Sequence, residues 1–210
     1  MYSIEKIFND SVISKKVQTK LPYLFQIAEL ENSRAGKVGM QVGSVREDII
    51  IGMLVYVFGE DYVNTNFPIT EKEIDVELLS YPISIKTVTS SRIAGVKLIW
   101  TVDRKKVLEF REKYKPTCDM IYIHINWFGV DGGLFFVPLF VQNKVLKLFG
   151  KQKYIKLPPQ GTNPRGVEIS NEAMTEIINQ PETLRLPIKW IKQKIEFKPY
   201  ERWVDLWRED

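Results

Sequence analysis

Glu47, Asp75 and Lys86 are the residues of this 210-residue chain whose types could together hydrolyse a phosphodiester. Two carboxylates bind a hard divalent cation through oxygen, so Mg2+ is the expected cofactor, with Mn2+ as a substitute. Such an ion neutralises phosphate charge and activates water. A lysine beside the acids can orient or deprotonate that water and stabilise the charge that develops on the phosphate. The chemistry needs neither histidine nor thiol. The sequence has one cysteine, Cys118, and one histidine, His124. That excludes a disulfide framework, a cysteine zinc site and two-histidine catalysis.

The elements that must bring these groups together can be read locally. Residues 44–58 read as a helix in which Ile50, Leu54 and Val57 form one stripe and Gly59 supplies the stop. Ser44 and Glu47 have capping-box spacing, so Glu47 has an ordinary structural use as well as a catalytic one. Residues 74–79 and 83–88 read as strands turning at Ser80-Tyr81-Pro82. A tight hairpin would carry Asp75 toward Lys86, with Ser84 and Lys86 on one face and Ile83 and Ile85 on the core face. Residues 95–102 and 120–128 read as further strands. A helix over 103–114, capped by Asp103, lies between them. The Asp103-Arg104-Lys105 run mimics an acid-x-Lys pattern, but a cap position explains it.

Helices are also expected in the first thirty residues, with Ile4, Ile7 and Phe8 on one face and Leu24, Ile27 and Leu30 on another. A loop is expected over 31–43. A turn at Asp131-Gly132-Gly133 leads to a strand over 134–137, and a basic helix follows over 138–149. Ser170 caps a short helix, 184–190 and 195–197 look extended, and 199–207 reads as a docking helix bearing Trp203 and Trp207. The fold expected is α/β (α+β mixed), a central mixed sheet flanked by helices. One domain spans 1–210: N-terminal helices and a loop to 43, a core over 44–150, and a C-terminal region over 151–210. A chain this long buries about 70% of its unfolded surface and needs no staple.

Thirty basic and 26 acidic residues give a net charge of +4. That balance is compatible with a nucleic-acid partner without requiring one. The first residues lack a signal-peptide pattern, and no apolar run reaches the ~18 residues of a membrane span. A cytoplasmic protein is expected.

The segments SVREDIIIGMLVYVFGED (44–61) and DVELLSYPISIKTVT (75–89) resemble the ThaI-type restriction endonucleases of the PD-(D/E)XK nuclease superfamily. The resemblance extends over essentially the whole chain. It implies a homodimeric, Mg2+-dependent type II enzyme that cuts double-stranded DNA at CGCG, centrally, leaving blunt ends. It assigns the catalytic glutamate to Glu47, the metal-binding aspartate to Asp75 and the lysine to Lys86. Ser84 stands where the superfamily pattern has a second acid, and Ile74 where it has proline. Glu47 on the helix would replace the missing acid. A cognate methyltransferase is implied as a functional companion, not as a binding partner.

Glycines flank Met40 in the loop before the Glu47 helix, so backbone can approach a surface closely there. Met40 could fold back on the core or enter the base stack as a wedge. CG steps unstack easily, and the resemblance favours the wedge. Arg34, Lys37 and Gln41 are the nearest candidates for bases or phosphates. Ser90, Ser91 and Arg92, leaving the Lys86 strand, form a second surface. Arg92 and Arg165 are candidates for bidentate guanine contacts. Lys144, Lys147, Lys151, Lys153 and Lys156 could touch phosphates or form a solvated face. His124, between Ile123 and Ile125, reads as a structural or cleft-edge histidine rather than a base. A non-catalytic DNA-binding protein on a similar fold, and a related nuclease with another target, are the alternatives.

Overall fold

The computed structural model describes residues 4–34, 37–39, 41–66, 73–99, 101, 103–128, 132–158 and 166–209. The chain begins with α1 (Lys6–Asn9), α2 (Ser11–Glu31), a small hairpin of β1 (Ser33–Arg34) and β2 (Lys37–Val38), and α3 (Val42–Phe58). A 3-10 turn (Glu60–Tyr62) leads to β3 (Val63–Asn64), β4 (Val76–Leu78), β5 (Tyr81–Thr89), β6 (Lys97–Ile99) and α4 (Arg104–Lys113). Then come β7 (Asp119–Ile125), β8 (Gly132–Val137), α5 (Leu139–Tyr154), β9 (Ile155–Lys156) and β10 (Val167–Ile169). The chain closes with α6 (Asn171–Asn179), β11 (Leu184–Ile188) and α7 (Glu201–Leu206).

The main sheet has the order β11-β8-β7-β5-β4-β3. β5 and β7 run parallel, from Ile83↔Asp119 to Thr89↔Ile125, and the neighbouring pairs are antiparallel. A parallel pair needs a crossover connection. Here β6 and α4 supply it, and Asp103 caps α4 as expected by accepting from Lys105 N at 2.8 Å. This is the mixed α/β sheet flanked by helices that the sequence pattern implies.

The pleat sends alternate side chains to opposite faces, and both faces are covered. Ile83, Ile85, Ile121 and Ile123 join Val17, Leu21 and Phe25 of α2 and Ile50 and Leu54 of α3 in one core. Met120, Tyr122, Phe135 and Val137 join Val107, Val141, Val145 and Ile177 in a second core. This corrects the expectation of one core face and one open face on β5. The open place is instead an edge. β4 pairs with β5 only over Tyr81–Ile83, so Ser84 to Thr89 have no strand on that side among the described residues.

Other local expectations shift for identifiable reasons. α3 begins at Val42 with Gln41 as its N-cap, so Ser44 and Glu47 form no capping box and Glu47 falls in the second turn. The hairpin turns at Leu79 and Ser80, both with positive φ (55° and 70°), while Tyr81 and Pro82 already belong to β5. Two positive-φ residues give the turn whose twist matches the strands. The buried stripe of α2 is Val17, Leu21 and Phe25, while Leu24 is 37% exposed. β6 is shorter than expected and pairs with β10 in a separate sheet. α5 runs past Phe149 to Tyr154, bending at Gly150, whose φ is 66°. Residues 195–197 form no strand, and Trp207, just past the C-terminal helix, is 90% exposed rather than docked on this chain.

Candidate active site

Asp75 lies just ahead of β4. Its N–H donates to Ile83 O (3.0 Å), so it still follows the hairpin register. Its carboxylate then turns over the free edge of β5. Asp75 Oδ2 accepts from Ile85 N at 2.6 Å, from Lys86 Nζ at 3.1 Å and from Ser84 Oγ at 3.3 Å. The ion pair is partly open to water, with the lysine side chain 19% and the aspartate side chain 24% exposed. Ser84, at the position of the absent acid, is buried and anchors Asp75.

Glu47, on α3, is coupled electrostatically to the same pair. Its carboxyl is pushed up from 4.5 to about 7, chiefly by burial and next by the negative charge of Asp75; Lys86 offsets part of this and Asp48 adds to it. Among the described residues no hydrogen bond holds the Glu47 carboxylate, and none reaches Asp75 Oδ1. The three groups predicted from sequence therefore share one electrostatic site.

The donor set fits a hydrated Mg2+. That ion keeps several waters and is commonly held by one or two carboxylates with substrate phosphate. Among the described residues no group of three or more His, Cys, Asp or Glu could hold a metal. The described residues thus offer no dedicated all-protein cage, while the raised Glu47 carboxyl marks a place where added positive charge would be favourable.

Some of the DNA-contact candidates lie on the elements that carry the site residues. Gln41 is exposed and caps the helix that carries Glu47. Lys37 lies in β2, with its side chain outside the described set, as is that of Arg34. Ser90, Ser91 and Arg92 leave β5 beyond Lys86. Ser90 N donates to Ile125 O (3.0 Å) and its Oγ to Arg92 O (2.6 Å), while Ser91 and Arg92 are exposed. Met40 and Arg165 lie outside the described residues.

Several other candidates have structural partners. His124 is buried, with Nε2 3.0 Å from Ser90 O, as the structural reading anticipates. In the basic run, Lys144 pairs with Glu182, Lys156 with Glu168, Lys151 reaches Glu112 O, and Lys153 sits over the Phe149 ring.

One buried cluster escaped the sequence reading. Glu29 near the end of α2 accepts from Arg46 Nη2 at 2.5 Å and from Trp127 Nε1 at 2.7 Å through Oε1. Lys192 Nζ stands 3.3 Å from Oε2. A signal was present: Arg46 extends the stripe Ile50–Leu54–Val57, and Glu29 extends Val17–Leu21–Phe25, each by one helical step. A charged residue at the next position of an apolar stripe requires a buried partner.

The profile of the family described as "Restriction endonuclease ThaI" matches residues 7–209. A solved restriction endonuclease in complex with substrate DNA is 55% identical to this chain, covers 99% of both chains, and superposes with a TM-score of 0.91. No curated relative matches. No helix among the described residues is long and apolar enough to cross a membrane.

Proposed function

The chain belongs to the ThaI restriction endonuclease family, and from that premise we propose how its own residues cut DNA. It is a site-specific deoxyribonuclease. We assign it to the PD-(D/E)XK superfamily as a Mg2+-dependent homodimer that hydrolyses double-stranded DNA at CGCG. It cuts at the centre to leave blunt ends with 5′-phosphate and 3′-hydroxyl. Two-fold symmetry of the dimer matches a palindrome, with each protomer cutting one strand.

The observation that supports this reading is the Asp75–Lys86 pair at the open edge of β5, with Glu47 electrostatically coupled to it. Asp75 and Glu47 would hold the divalent ion, which when bound supplies charge neutralisation at the phosphate and an acidified water. Asp75 is oriented for this: its Oδ2 is fixed by three donors, and Oδ1 takes none among the described residues. Lys86 is held against Asp75, so its ammonium stands at a fixed place to orient the attacking water and stabilise the developing phosphorane charge. Gln41, at the start of the Glu47 helix, and Ser90–Arg92, after the Lys86 strand, would be the base or phosphate contacts. Met40 is the wedge at the CG steps.

Digestion of a plasmid of known sequence with Mg2+, followed by end mapping, tests the target and the blunt cut. Asp75→Ala tests the mechanism. It should keep binding a CGCG duplex and stop cutting. Cutting at the wild-type rate would overturn the assignment, and a protein that never cuts would favour the non-catalytic binder.

A further inference from the structure

The Glu29–Arg46 pair is buried. The two side chains are 8% and 6% exposed. Arg46 Nε has no hydrogen-bond partner among the described residues, and Glu29 is the one acidic partner that Arg46 has among them. Its guanidinium also lies 5.5 Å from the Phe25 ring. Burying such a pair is expensive, and well-packed apolar residues of similar volume are often as stabilising or more so. Stability alone therefore does not account for it.

Its placement does. Glu29 sits two residues before the end of α2, and Arg46 immediately precedes Glu47 in α3. Trp127, the third member, follows the end of β7, the strand paired in parallel with the Lys86 strand. Its indole packs edge-on against Trp190 at 5.5 Å and under Lys192 at 5.2 Å. One carboxylate thus ties three elements together at the end of α3 that bears Glu47. A hydrogen-bonded charge pair has one geometry, whereas an apolar contact tolerates sliding and rotation.

We propose that Glu29, Arg46 and Trp127 form a positioning cluster that fixes the rotation of α3, and through it the Glu47 carboxylate, for DNA cleavage. The proposal rests on the assignment of Glu47 as a catalytic group. Two variants test it. Trp127→Phe removes one donor and keeps a ring. The double variant Glu29→Leu/Arg46→Met replaces the pair with apolar groups and is expected to keep most of the melting temperature.

Both should lower kcat by about 10–100-fold and raise the Mg2+ concentration needed for half-maximal rate, as loss of groups that orient a metal ligand does. KM for a CGCG duplex should change less than kcat, because none of the substituted residues is itself a DNA-contact candidate. Folded variants with wild-type kcat and Mg2+ dependence would overturn the proposal. So would a lower melting temperature with unchanged kcat, the signature of a purely structural role. If the double variant fails to fold, Trp127→Phe decides. Glu47→Gln is the control: if it cuts like the wild type, the assignment of Glu47 itself is at fault. If it is dead while the cluster variants are normal, only the positioning role fails.

Discussion

Replacing Glu47 with glutamine should make the metal-free protein more stable in mildly alkaline solution. The reason is the carboxyl pushed up from 4.5 to about 7 by burial and by Asp75. Below about 4.5 the group is protonated in folded and unfolded chains alike and has no effect. Between 4.5 and 7 the folded protein retains a proton that the unfolded chain has lost, so stability falls as pH rises. Above 7 the full penalty is present. A tenfold change in proton affinity is worth about 1.4 kcal/mol, which sets an upper bound of about 3–4 kcal/mol for this change. Partial access to water reduces it to about 1–2 kcal/mol. Urea unfolding in EDTA at pH 5.5 and 8.5 measures it. The wild type should lose a little over half of this amount more than Glu47→Gln across that interval, because part of the penalty is already present at pH 5.5. Millimolar Mg2+ should then stabilise the wild type far more than the variant at pH 8.5. Equal pH slopes for the two proteins, or equal stabilisation by Mg2+, would refute the argument that Glu47 and Asp75 repel one another in a shared site.

Three further outcomes follow from the fold and the loop. Ser80→Gly should raise stability by about 0.5–1 kcal/mol, because glycine adopts positive φ without the steric cost serine bears at 70°; a loss of stability in thermal melting would contradict the observed turn. Gly132→Ala should destabilise by at least ~1–3 kcal/mol, since an added Cβ would lie 2.2 Å from the Trp190 indole, and an unchanged urea midpoint would show that Trp190 can move. Met40→Ala should weaken specific binding or cleavage far more than it lowers the melting temperature; equal losses would count against the wedge.

Much of the site was legible because its parts are local. The apolar stripe of α3, the strand patterns around Asp75 and Lys86, and the caps at Asp103 and Ser170 are decided by near neighbours. What resisted reading depends on the third dimension. Whether Glu47 caps a helix or enters a site turned on where α3 begins. The chain starts that helix two residues early, which leaves Ser44 inside it. The second core under Ser84 was invisible because β5 alone cannot reveal what α4, α5 and α6 will cover. The Glu29–Arg46–Trp127 contact spans 17 and 98 residues of sequence, and no local period encodes such partners. The aromatic tail illustrates the converse: Trp203 and Trp207 have helical spacing, yet a pattern of apolar residues does not say which surface they meet.

The mismatch in length between β4 and β5 has a cost that cannot be engineered away. Continuing β4 upstream through a longer ladder would add backbone hydrogen bonds and satisfy the bare rim of the sheet. It would also compete with the Asp75 carboxylate for Ile85 N and, in the proposed mechanism, close the edge where the phosphate would sit. A family constrained in this way should accept stabilising changes elsewhere in the molecule while refusing them along this rim. Selection for heat resistance in the laboratory offers a way to watch that refusal.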